Sequence, residues 1–190
     1  LSEQLRLTRR VMLKAVELLA PLANSVTFIA VPGNHGEPQR FNGKGVTRYD
    51  DSHDTEALLA VADACSINPQ AFGHVSFFVP ETDEMTVTVE TQDGTRIACA
   101  HGHQWKPRRH FEWWKGQSFH NSPLSDADVL LAGHLHHLFV EVDGRRTFIQ
   151  APALEQESTW YRHRTGSAGN PGLLLLEVDK GQLSSLEVLR

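Results

Sequence analysis

Two cysteines, Cys65 and Cys99, are all that 190 residues contain, and no C-x-x-C spacing joins them. That excludes a disulfide framework and reads as buried thiols in a reducing, cytoplasmic setting. No apolar stretch approaches the ~20 residues a membrane helix needs, and no charged-then-apolar signal segment opens the chain. Positive charge is scarce too: 18 Lys and Arg against 23 Asp and Glu leave a net charge of -5. That argues against a general nucleic-acid coat while permitting a local basic site. Neither an internal repeat nor a low-complexity tract is present. What is there, with 40% hydrophobic residues, suits one globular domain over 1–190, or most of one. Leu1, not Met, opens directly into an amphipathic pattern, so the expectation is a domain whose N-terminal part lies upstream.

Periodicity gives alternating elements. Leu5, Leu7, Val11, Leu13, Val16, Leu19 and Leu22 include helical spacings closed by Pro21, predicting a helix over 3–20. Val26 to Val31 reads as a buried strand, and the polar, Gly-rich residues 37–53 read as a long loop. Asp54 is the expected cap of a helix from Thr55 to Cys65 with Leu58, Leu59, Val61 and Ala62 as its apolar face. Strands are expected at Val75–Val79, Met85–Glu90, Arg96–Ala100, Val129–Ala132, Leu138–Val142 and Arg146–Gln150. Turns at Asp93-Gly94 and Asp143-Gly144 join neighbours, and a hairpin of Leu173–Val178 with Leu183–Leu189 closes the domain. Few helices among many strands suggest an α/β sandwich of two sheets with outer helices.

Three short strings follow apolar strands at once: Gly33-Asn34-His35, His101-Gly102-His103, and Gly133-His134-Leu135-His136-His137. Loops at strand ends are where α/β folds gather ligands, imidazole suits first-row transition metals, and a Gly lets the backbone turn sharply. A lone His in such a loop is more often a hydrogen-bonded surface residue than a ligand. His137, adjacent to His136, is expected to point away, and His53, His74, His110, His120 and His163 are read as structural. Cys99, on the same side of its strand as His101, reads as core packing.

Gly-Asn-His, then His-Gly-His, then Gly-His-x-His, in that order over residues 26–152, resembles the calcineurin-like metallophosphoesterase family and is most similar to its DNA repair nuclease branch. The resemblance implies a two-sheet β-sandwich flanked by helices, here lacking its first strands. It also implies hydrolysis of phosphoesters at two divalent metals, manganese being common in nuclease members and iron or zinc in others. Asn34, His101 and His134 would hold one metal and His136 the other. His35 would serve as general acid, and the metals would polarise the phosphoryl oxygens and activate a bridging water. His103 is expected either to contact substrate phosphate, to replace His101, or to brace the ligands.

The Asp-x-His and Gly-Asp-x-x-Asp strings that should precede Gly-Asn-His are missing, and Asp51-Ser52-His53 follows no apolar strand. Two dications ~3.5 Å apart repel by roughly 19 kcal/mol at an effective dielectric of ~20, and neutral Asn and His donors do not offset that. The expectation is therefore at most one metal and no activity for this chain alone. Substrate choice rests on the basic and aromatic residues 105–116. Lys106, Arg108, Arg109 and Lys115 could meet phosphates while Trp105, Trp113 or Trp114 stacks on a base, or the segment could be an amphipathic helix with Trp in the core. A second patch is Trp160-Tyr161-Arg162-His163-Arg164. The reading is a phosphodiesterase acting on DNA or another phosphodiester, with hydrolysis of small phosphodiesters or nucleotides, or a non-catalytic scaffold, as alternatives.

Overall fold

A computed structural model describes residues 2–42, 44–45, 47–156, 159, 162–163, 166 and 169–190, with the side chains of 40, 44 and 45 left aside. Trp160, Tyr161 and Arg164 of the second basic patch lie outside the described residues. Two compact units divide the chain, Leu1–Val87 and Thr88–Arg190.

In the first unit, helix α1 (Ser2–Leu19) precedes strand β1 (Val26–Ile29), the short pair β2 (Arg40–Phe41) and β3 (Lys44–Gly45), helices α2 (His53–Ser66) and α3 (Pro69–Phe72), and strand β4 (Val75–Phe78). β1 and β4 pair in parallel, Val26 opposite Val75 and Ile29 opposite Phe78, so the connection between them must cross over, and α2 and α3 lie in it. Val16, Val61 and Cys65 form the buried centre, with Met12, Leu13, Phe28, Phe72, Val75 and Phe77 packed around it. The buried stripe of α1 is narrower than its apolar content suggests. Val16 is fully buried, whereas Leu7, Val11 and Leu18 are 55–60% exposed.

Two sequence expectations need correcting here. Residues 37–53 are not loop throughout, since β2 and β3 form a short antiparallel pair. Asp54 does not cap α2: Ser52 is the N-cap, and its side chain accepts from the Asp54 N–H. The carboxylate of Asp54 is directed elsewhere, and Leu59 is 47% exposed rather than part of the buried face.

The second unit is built on a mixed sheet of order β5-β6-β7-β9-β8. Its strands are β5 (Val87–Glu90), β6 (Arg96–Ala100), β7 (Val129–Ala132), β8 (Phe139–Asp143) and β9 (Arg146–Gln150). β6, β7 and β9 run parallel, and β8 returns antiparallel to β9. Parallel central strands are covered on their faces, which is why β7 reads as a continuous apolar run and Thr147, Phe148, Ile149 and Gln150 of β9 are all buried. Helix α4 (His110–Gln117) delivers Trp114 to a core containing Ala98, Ala100, Leu124, Leu130, Ala132 and Phe148. A terminal antiparallel hairpin, β10 (Leu173–Asp179) and β11 (Gln182–Leu189), forms a second small sheet. Its turn is anchored where the Gly181 N–H donates to Thr95 Oγ1 (2.8 Å) and the Lys180 N–H to Asp93 (2.6 Å). The fold is thus α/β, a central mixed sheet with flanking helices, as composition and periodicity suggest. No described helix is long and apolar enough to cross a membrane.

Candidate metal centre

β6 and β7 are adjacent, parallel and in register, Ala100 opposite Ala132, so the residues that follow them emerge side by side at one edge of the sheet. The Gly133 N–H donates to His101 O at 3.0 Å, continuing the ladder one residue past the strands. His134 Nδ1 then lies 3.2 Å from His101 Nε2. The rings of His101, His103 and His134 stand 5.0–6.1 Å apart, centroid to centroid.

The backbone is contorted to achieve this. His134 (φ 69°) and His136 (φ 57°) both occupy the left-handed region, two unfavourable conformations within three residues. Strain of this sort persists only where the surroundings over-determine it and concentrates at functional sites. Gly102, at φ 110°, is required as well: a Cβ there would sit 3.2 Å from His134 Cβ and 3.3 Å from Gly133 O.

Neighbours unremarkable in the sequence fix the loops. The Gly102 N–H donates to Gln104 Oε1 (2.8 Å), and buried Gln150, at the end of β9, donates its side-chain amide to His137 O (2.9 Å). His137 Nδ1 is 2.8 Å from Leu135 O, where it must be the donor. A glutamine ending a buried strand is the one sequence signal that could have flagged Gln150, because a buried amide needs partners.

Two imidazole nitrogens on one zinc or manganese ion, each ~2.0–2.2 Å from it at tetrahedral or octahedral angles, lie roughly 3.1–3.4 Å apart. The separation of His101 Nε2 and His134 Nδ1 fits that pair. Among the described residues, no group of three or more His, Cys, Asp and Glu side chains is disposed to hold an ion.

Asn34 and His35 belong to the first unit, in the turn after β1, Asn34 half-buried and His35 exposed. The Asn34 amide Nδ2 donates to His35 Nε2 at 3.3 Å, so that nitrogen is the unprotonated one in this arrangement. Asp54 holds the turn. Its carboxylate accepts the Gly33 N–H at 2.8 Å, and the Gly36 carbonyl accepts the His53 N–H at 2.7 Å. A Cβ on Gly36 would lie 2.2 Å from Asp54 Oδ2 and 2.5 Å from Ser52 Oγ. Gly36→Ala should therefore cost about 1–3 kcal/mol, and about half that in an Asp54→Ala background where the clash is partly gone. Urea unfolding of the two single variants and the double variant measures the coupling, and strict additivity would refute the close packing of Gly36 against Asp54.

The basic cluster is largely engaged inside the second unit. Trp114 is 1% exposed and donates Nε1–H to Leu124 O (2.8 Å). Trp105 packs on Trp113 and Phe148, which corrects base stacking as the role of Trp114 and gives Trp105 core neighbours. Arg109 pairs with Glu112, Lys115 with Asp143 (2.8 Å), and Arg108 lies over the Phe139 ring at 5.7 Å. Two further titratable groups are set by burial. Desolvation holds His110 below its usual value although Glu141 is 3.2 Å away, and it pushes Cys99 up to about 11. His110 and Cys99 thus behave as the packing residues the sequence suggests.

No family model matches the chain, and no curated protein matches it. Among solved structures it is similar to wild-type Vps29 complexed with zinc from Entamoeba histolytica, at 18% identity and TM-score 0.43, over 84% of this chain and 96% of that one. Vps29 of Chaetomium thermophilum is 15% identical with TM-score 0.42, over 87% and 97%. A predicted phosphoesterase from Streptococcus pneumoniae is 19% identical with TM-score 0.30, over 48% and 53%. These likenesses transfer neither metal, partner nor activity to this chain.

Proposed function

We propose that this chain carries the histidine side of a metallophosphoesterase-type centre, binding one divalent cation through His101 and His134 and acting on small phosphoesters rather than nucleic acid. The observation that supports it is the 3.2 Å approach of His101 Nε2 to His134 Nδ1 at the ends of two adjacent parallel strands. When bound, the ion supplies Lewis-acid polarisation of a phosphoryl oxygen and a lowered pKa for its water. The chain's own contribution is orientation: Gln104 and Gln150 fix the two loops through hydrogen bonds to their backbone. His103, whose ring lies 5.3 Å from that of His101 and 6.1 Å from that of His134, is the residue proposed to meet a phosphoryl oxygen.

The ligand roles of Asn34 and His136, the latter on a second cation, and the acid role of His35 rest on the family resemblance, each testable by its own substitution. Protonating His35 at Nε2 requires breaking its contact with the Asn34 amide, so the acid role needs that amide to turn. Small substrates are favoured over DNA because Arg109 is already paired with Glu112 and Trp114 is core. The two reduced thiols are in keeping with a cytoplasmic setting.

A second reading, a non-catalytic interaction scaffold, draws on Val140 and Val142 of edge strand β8 and Leu138 just before it, which are 37–62% exposed at alternate positions. One experiment separates them: manganese and zinc titrations of the chain, followed by assays on bis(p-nitrophenyl) phosphate, a nucleotide and duplex DNA. Turnover of the small esters that His134→Ala abolishes is the expected result. Full metal occupancy without turnover of any substrate would favour the scaffold, and DNA cleavage would restore the nuclease.

A further inference from the structure

The basic and aromatic segment that the metal centre does not use lines a cleft of about 380 Å³ in the second unit. Lys115, Arg145 and Arg146 face it together with Asp143, and Phe111 and Trp114 supply its apolar side. Three cations against one carboxylate stand out in a chain whose net charge is -5. Two of the cations have partners. Lys115 Nζ is 2.8 Å from Asp143, and Arg145, 67% exposed, is 3.8 Å from Asp128.

Arg146 is different. Its guanidinium stacks 5.2 Å over the Trp114 ring, and among the described residues it makes no ion pair with a carboxylate. Stacking holds the planar fork in place while leaving its N–H edge for an acceptor, which is the arrangement that suits Arg to phosphate. Asp143 lies close enough to Lys115 and Arg146 for both to hold its carboxyl below the usual range, so it occupies the place an incoming anion would take.

Sheet topology separates this cleft from the histidines. Arg146 starts β9, whose Thr147 pairs with Val129 at the start of β7, whereas His134 follows the end of β7. The intervening strand spans roughly 13 Å at ~3.3 Å per residue.

The geometry points to a second, metal-independent site that binds a phosphate monoester, its dianion held by Arg146, Arg145 and Lys115 and its organic part lying against Phe111. Phosphate is preferred over a single carboxylate because two net positive charges match a dianion and a guanidinium fork accommodates two of its oxygens.

The test is calorimetric titration of the chain with phenyl phosphate in EDTA, with tryptophan fluorescence as a second readout. Saturable binding is expected, weakened about tenfold in Arg146→Gln and several-fold in Lys115→Gln and Arg145→Gln. Asp143→Asn should tighten it, an outcome that general destabilisation does not produce. His101→Ala and His134→Ala should leave it unchanged, which keeps this site's failure distinct from failure of the metal centre. Exposed Arg145 keeps the test open should Arg146→Gln not fold. Unaltered affinity in the arginine variants, equal binding of benzoate, or loss of binding in His134→Ala would each overturn the site.

Discussion

Replacing His134 with Gly should sharply weaken metal binding and yet leave the apo protein more stable than His134→Ala does. Both substitutions remove the imidazole whose Nδ1 faces His101 Nε2 at 3.2 Å. Loss of a direct ligand should weaken zinc or manganese binding by at least about a hundredfold, since disturbing even an outer partner costs ten- to a hundredfold. The two variants differ only in the backbone. At φ 69° a Cβ is penalised by roughly 1 kcal/mol, and glycine escapes that penalty, so Gly should exceed Ala by about that amount. His136, at φ 57°, should show the same ordering. Isothermal titration with each metal and urea unfolding of the apo proteins provide the two numbers. Were Ala as stable as Gly, the left-handed backbone would not be the native one. Undiminished metal affinity in both variants would remove His134 from the centre.

Much of this architecture could be read from the sequence because the apolar runs are unambiguous. Val129–Ala132 coincides with β7 to the residue as a continuous apolar strand should, and Arg146–Gln150 coincides with β9 because the Asp143-Gly144 turn fixes where it starts. α1 was legible as a helix but not as to which face it buries: Leu7 and Val11 are apolar and exposed, and only tertiary packing selects Val16. Of the centre, the sequence shows that His101 and His134 each follow a strand. It does not show that those strands are neighbours in register, and the 3.2 Å approach depends on that pairing. Asp54 was legible as a helix-start residue but not as the acceptor of the Gly33 N–H, because a contact across 21 residues leaves no local pattern. Arg145 in a hairpin turn and Arg146 at the start of β9 gave no sign that they join Lys115 on α4, since nothing periodic links a hairpin to a helix.

The same segment yields the largest stability effect in the molecule. Trp114→Ala should destabilise the second unit by about 4 kcal/mol, with contributions that can be separated. Emptying a site 1% exposed among Ala98, Leu124, Leu130 and Phe148 leaves a cavity, and large aromatic-to-Ala changes in such cores cost 3–5 kcal/mol, roughly. Leu124 O loses its 2.8 Å donor, and the Arg146 guanidinium loses the ring it stacks on. Trp114→Phe keeps most of the packing and drops only the Nε1–H, so about 1–2 kcal/mol is expected, near the cost of one buried acceptor left unmade. Against a total stability of roughly 5–15 kcal/mol, the Ala variant should lose between about a quarter and four fifths of the margin and the Phe variant well under half of it. Lys115→Gln and Arg109→Gln, whose ion pairs are solvent-exposed, should fall within about 0.5 kcal/mol of the parent. A base-stacking tryptophan would show the reverse: unfolding midpoints unmoved by Trp114→Ala, and affinity for single-stranded DNA lost in step with the two cation variants. Urea denaturation and DNA titration of the same four proteins therefore decide whether this cluster serves the core or a nucleic acid.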